Sequence, residues 1–257
     1  MEYIIIPLVA LLASALTFFS GFGLGTILLP AFGLFFPIEI AIALTAIVHF
    51  LNNIFKLGLV FKNIDKKVVL GFGVPALLFS FLGAKTLQHL NFPYNFIKYQ
   101  LGEKVLETNL VKLTIAVVLL FFALFELIPK LKNLQFDKKY IALGGILSGF
   151  FGGLSGHQGA LRSAFLTKVG LSKEVFIATG VAIACLIDLS RLSVYSHQIT
   201  QYHNQIDFKL IVIATLSAFL GVYFGTKLVK KVTIATIQNI VVMMLVIFAV
   251  LLGMGLV

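Results

Sequence analysis

Two arginines occur in this chain, Arg162 and Arg191, and both fall inside long apolar stretches, whereas most lysines sit between such stretches. A guanidinium at membrane depth costs roughly 2.5 kcal/mol or more on insertion scales. It persists where it faces a cavity, a partner or a bound anion. The residues around Arg162 suit an anion. Gly156 and Gly159 let the backbone turn and approach a ligand closely. The short apolar segment beginning there opens with unpaired N–H groups and a dipole that favour negative charge. Gln158 adds an amide donor. Arg162 falls in the first turn, where a cation opposes the helix dipole unless an anion sits nearby, and its planar fork matches sulfonate, sulfite or carboxylate oxygens. The competing role is a guanidinium that snorkels or pairs with an acid.

Asp188 and Arg191 are spaced i, i+3 and share a helix face. They form either a self-neutralising pair or a carboxylate that holds the guanidinium while its free edge meets the anion; the two roles are compatible. His157 changes charge near neutral pH, so proton coupling is assigned to His157 or Asp188, with a neutral hydrogen-bonding histidine as the alternative. His49, Asn52, Asn53 and Lys56 form a second polar set. They suit the far wall of one cavity, or helix–helix hydrogen bonds, with Lys56 reaching an interface.

Composition defines what must position these groups. Of 257 residues 60% are hydrophobic and 12% charged, with mean hydropathy +1.05. A soluble domain carries about 25% charged residues. Continuous apolar runs of spanning length recur, so the expected fold is an all-α polytopic membrane protein rather than a β-barrel. The first run lacks a basic flank and is taken as retained. The net charge of +10 resides in loop lysines, which argues against nucleic acid as a partner. The lone Cys185 permits no internal disulfide, no Walker loop is present, and no metal or cofactor constellation is found; His197 and His203 lack the carboxylate or cysteine support a metal needs.

Apolar segments fall at about 3–20, 24–36, 38–61, 68–90, 110–128, 140–154, 160–169, 172–196, 208–229 and 234–257. The second and seventh are too short to cross a core about 30 Å thick at 1.5 Å per residue. Lys62, Lys66 and Lys67, then Lys130, Lys132, Lys138 and Lys139, then Lys227, Lys230 and Lys231 mark three cytoplasmic loops. The stretch 91–109, the loop 197–207 and the C-terminus then lie outside. Lys168 and Lys173 return the seventh segment to the cytoplasmic side, making a re-entrant hairpin with its tip at 156–159.

The pattern repeats. Residues 20–25 correspond to 155–160, Asn53 and Lys56 to Asp188 and Arg191, Asp65 to Asp207, and 83–85 to 225–227. Two inverted repeats follow, 1–132 and 133–257, each a Gly-rich hairpin plus three transmembrane helices. Broken helices meeting near the midplane of inverted repeats are the signature of secondary transporters.

The break Gly21-Phe22-Gly23-Leu24-Gly25, followed by Pro30 and Pro37, and the second break at Gly156-His157-Gln158-Gly159 resemble the sulfite exporter TauE/SafE family, also called toluene-sulfonate uptake permeases. The second break departs from the Gly-Gly-Gly run of many members. The resemblance implies a bacterial inner-membrane permease for sulfur oxyanions, organosulfonates or related small anions. The expected function is alternating-access transport of such an anion, possible proton coupling included. The expected binding set is Arg162, Arg191, His157, Gln158, Gly156, Gly159, Asp188, Asn53, His49 and Gly23. A passive anion channel would use the same residues. A membrane enzyme built on His157 and Asp188 lacks a nucleophile or metal.

Overall fold

The structure, a computed structural model, describes residues 1–20, 23–90, 97–102, 104–202, 206–228 and 234–257. Gly21 and Phe22 of the first break, His203, Lys230 and Lys231 lie outside the described residues.

Ten principal helices run in chain order among those residues. They are α1 Glu2–Ser20, α2 Leu24–Gly33, α3 Ile38–Val60, α4 Lys66–Leu90, α5 Leu110–Leu127, α6 Ile141–Ser155, α7 Gly159–Leu166, α8 Lys173–Gln201, α9 Phe208–Leu228 and α10 Ile234–Gly253. Helices α3, α4, α5, α8 and α9 are each long and apolar enough to span a bilayer. At 10 and 8 residues, α2 and α7 are not. The chain is a multi-pass helical membrane protein.

Polar caps begin several spans. Asp65 accepts from Lys67 N at 2.9 Å and Val68 N at 3.0 Å at the start of α4. Asp207 accepts from Lys209 N at 2.9 Å and Leu210 N at 3.4 Å at the start of α9. Asn109 caps α5 through Lys112 N at 2.8 Å. Each side-chain oxygen satisfies N–H groups that a helix start leaves without a partner. Asp207 also accepts from the Tyr3 hydroxyl, tying α9 to α1.

Glycines decide which helices touch at backbone level. Gly145, Gly149 and Gly153 form an i, i+4 stripe on α6. A Cβ at each would collide with the carbonyl oxygens of Phe72, Ala76 and Ser80 on α4, and one at Gly83 with that of Phe150. Gly221 and Gly225 on α9 face Leu11 and Ala15 on α1 in the same way. Small residues permit such approach where lipid supplies no hydrophobic drive between helices. Helix α8 packs on α3, and α5 packs on α10.

One difference from the sequence expectation lies in the stretch 91–109, which reads as an outer loop. Residues Ile97–Leu101 (β1) and Lys104–Thr108 (β2) pair antiparallel about Gly102, whose φ of 62° suits glycine. The alternation Ile97-Lys98-Tyr99-Gln100-Leu101 suits a strand. Tyr99 Oη donates to the Met254 carbonyl at 2.7 Å, so the hairpin holds the end of α10.

Candidate functional site

Helices α2 and α7 both begin inside the protein, close to α3. An added Cβ on Gly25 would sit 3.6 Å from Thr45, 3.7 Å from the His49 ring and 3.8 Å from the Gly156 carbonyl. The two breaks therefore meet over α3, with room for no more than ordinary van der Waals contact about Gly25. At Gly156 the backbone takes φ 84° and ends α6; Gln158 then precedes α7, with Arg162 N donating to its carbonyl at 3.0 Å. Gly156 is thus the turning residue. Gly159 is already helical, so it is the first residue of α7 rather than part of the turn expected at the tip.

Beside these breaks lies a cavity of about 110 Å³. Gly23, His49, Asn53, Gln158 and Arg162 line it, joined by Lys56 and Lys173. Its lining therefore holds Arg162 and two lysines, and no aspartate or glutamate lines it among the described residues. The Arg162 Nη1 donates to Gln158 Oε1 at 3.2 Å, which orients the guanidinium along the wall. Gly180 gives it room, since a Cβ there would sit 3.4 Å from Nε. Gln158 is 1% exposed, and its Nε2 has no hydrogen-bond partner among the described residues. A buried amide donor without a partner costs about 1–3 kcal/mol, so a negatively charged occupant would recover that cost.

Asp188 and Arg191 stand behind this wall, both 0% exposed. Arg191 Nε donates to Asp188 Oδ1 at 3.0 Å, with Nη2 2.8 Å from the same oxygen. Asp188 Oδ2 faces His49 Nδ1 at 2.7 Å and accepts from Asn53 Nδ2 at 2.9 Å. The carboxylate is therefore saturated by α3 and its own helix. Arg191 Nη1 has no hydrogen-bond partner among the described residues, and it lies where a Gly156 Cβ would come within 2.7 Å. The two arginines thus separate: Arg162 faces the cavity, whereas Arg191 braces Asp188 and the turn at Gly156.

His157 turns away. Its ring stacks on Phe122 at 5.6 Å, its Nδ1 lies 3.1 Å from the Ser155 carbonyl, and with Gly159 it lines a second space of about 10 Å³. Gly23, Thr26 and Glu126 complete that space. Glu126, near the end of α5, is half-buried against it. Asn52 accepts from Ser14 Oγ at 3.2 Å, an interhelical bond to α1.

Lys56 is 5% exposed and lines the cavity, so it does not snorkel. Lys173, Thr17 and Ser163 also line it and were not singled out from sequence. A signal for Lys173 existed: Lys173, Phe176, Ile177, Gly180, Val181 and Ala184 follow a helical face that continues to Asp188 and Arg191. Among the described residues no cluster of three metal-ligating side chains occurs.

Compared with known proteins, residues 6–252 match the family model described as Sulfite exporter TauE/SafE. No curated protein and no solved structure gives a match.

Proposed function

Because the chain belongs to the TauE/SafE sulfite exporter family, a family of membrane transporters rather than enzymes, we propose that it moves a small sulfur oxyanion or organosulfonate by alternating access at the cavity beside the two breaks. One observation carries this: Arg162 and Gln158, whose buried Nε2 has no hydrogen-bond partner among the described residues, line one cavity in whose described lining there is no carboxylate. A negative guest there would meet both the guanidinium and the amide donor. Arg162 and the Gln158 amide bind the oxygens, with the opening N–H groups of α7 beside them. Asp188, Arg191, Asn53 and His49 hold the wall.

The protein is organised as two inverted repeats, 1–132 and 133–257. Several pairings support this. Asp65 and Asp207 make the same cap at the start of α4 and α9. Gly83 meets Phe150 as Gly225 meets Ala15; Ala15 precedes Phe150 by 135 residues and Gly83 precedes Gly225 by 142, the same offset as Asp65 and Asp207. The cavity runs along α8 from Lys173, whose end carries the loop lysines of the cytoplasmic side by the positive-inside rule. The arrangement therefore corresponds to a state open towards the cytoplasm, in a bacterial inner membrane, with the C-terminus outside. Export or uptake follows from the prevailing gradients.

A liposome flux panel across sulfite, sulfonates, sulfate and carboxylates, with and without a pH gradient, tests the substrate class. Arg162→Ala removes a charged hydrogen-bond donor and should weaken anion handling by about 2–3 kcal/mol, or roughly 30- to 150-fold, with the folded protein retained in the membrane. Unchanged sulfite flux in that variant sinks the assignment. Saturation and trans-acceleration mark a carrier, whereas flux linear in concentration marks a channel.

A further inference from the structure

We propose that His49, acting through Nε2 while Asp188 holds Nδ1, carries the proton that accompanies the anion through the cavity. This rests on the anion-carrier function proposed above. His157 and Asp188 were the groups the sequence offered for that task, and neither lines the main cavity.

The hydrogen bonds define the histidine's two nitrogens. Asp188 Oδ2 already accepts from Asn53 Nδ2 at 2.9 Å, and Oδ1 faces Arg191. An ionised carboxylate only accepts, so at 2.7 Å from Oδ2 it is His49 Nδ1 that donates. A carboxylate on one ring nitrogen sets the tautomer and leaves the other nitrogen's lone pair to do chemistry. Nε2 is that atom. It points at the first break, 3.6 Å from where a Gly23 Cβ would be, and His49 and Gly23 both line the cavity. Replacement of Gly23 or Gly25 by a larger residue would bring side-chain atoms against the ring.

Charged groups reach His49 from three helices. Helix α3 brings Lys56, α7 brings Arg162, and α8 brings Asp188, Arg191 and Lys173. Gly23, just before α2, and Gly25 within it bring no charge. Asp188 and Arg191 cancel as a pair, and Arg162 shares the cavity lining with His49. Anion binding beside Arg162 brings negative charge close to Nε2, and an N–H bond forms there with a proton from solvent or from the anion's own O–H. When the anion leaves, that N–H bond breaks and the proton returns to water. By linkage, whatever the anion does for the proton's affinity the proton does for the anion's. Asp188 stays ionised throughout, keeping Nδ1–H and Arg191 in place.

The test uses purified protein in liposomes with radiolabelled sulfite. The readout is the ratio of flux down an imposed pH gradient to flux without one. Sulfite titrates near neutral pH, so part of the ratio belongs to the substrate; that part is common to wild type and variant. In His49→Asn, whose amide still donates to Asp188, the ratio should fall by about fivefold or more relative to wild type. His49→Gln serves as a second variant. His157→Asn should keep the wild-type ratio. An unchanged ratio in the His49 variants overturns the assignment, as does loss of the ratio in His157→Asn. Folded His49 variants that move no sulfite at all also overturn it, by making His49 part of the anion's own shell. Wild type labelled with ¹⁵N-histidine needs no variant to fold: sulfite should convert one of the five imidazoles to imidazolium, and conversion of none overturns the proposal. Failure of the wild type to move any anion in the panel would instead sink the transport function.

Discussion

Gly156 shows how little freedom the site has at the level of one residue. Its φ of 84° and the Arg191 guanidinium 2.7 Å from its absent Cβ each demand glycine. Gly156→Ala forces an L-residue into the left-handed region, at about 1–2 kcal/mol, and pushes Arg191 off the turn. The expected outcome is a lower unfolding temperature in detergent together with reduced sulfite flux. Gly58, with nothing within 4 Å of its Cβ position inside α3, is the contrast. Gly58→Ala should leave flux intact and stabilise by about 0.5–1 kcal/mol, because glycine weakens a helix interior. The grouping of Gln158 with Arg162 is legible in sequence, since the two stand four residues apart at the start of a short helix. The role of Arg191 is not, because i, i+3 spacing from Asp188 allows both a closed pair and an open edge. Only the saturation of Asp188 by His49 and Asn53, residues far away in the chain, distinguishes them.

Among the elements, length and glycine content carry most of what the chain reveals. The breaks after α1 and α6 and the shortness of α2 and α7 are readable, because an apolar run too short to span must be covered by protein. The hairpin β1–β2 was missed because its alternation is brief and flanked by polar residues. The backbone contact of α4 with α6 was also missed. Gly145, Gly149 and Gly153 look like mere flexibility in a list of residues, whereas in space they form the flat side of a helix. Gly149→Leu should prevent that contact, with loss of monodisperse protein on extraction; a variant that elutes and unfolds like wild type would show the seam to be slack.

For the molecule as a whole, the lysine pattern makes the orientation testable. With Cys185→Ser as background, a cysteine at Lys62 should react with a membrane-impermeant maleimide only after the cytoplasmic face is exposed, and one at Val257 in intact cells. The reverse labelling would invert the whole arrangement. The lipid-facing surface is legible as apolar throughout, yet sequence could not say which spans are neighbours, because in an oily solvent nearly every face is compatible with every other. Neighbours are chosen instead by glycine stripes, by caps such as Tyr3 on Asp207, and by the buried polar cluster linking α3 to α8.

Those stripes divide the molecule differently from its chain order. Helix α1 is keyed to α9, and α4 to α6, so each glycine seam joins residues from before and after position 132. A machine that rocked residues 1–132 against 133–257 would tear both seams in every cycle. On the alternating-access reading proposed above, the moving bodies are hybrids of early and late sequence, each keeping a glycine seam whole.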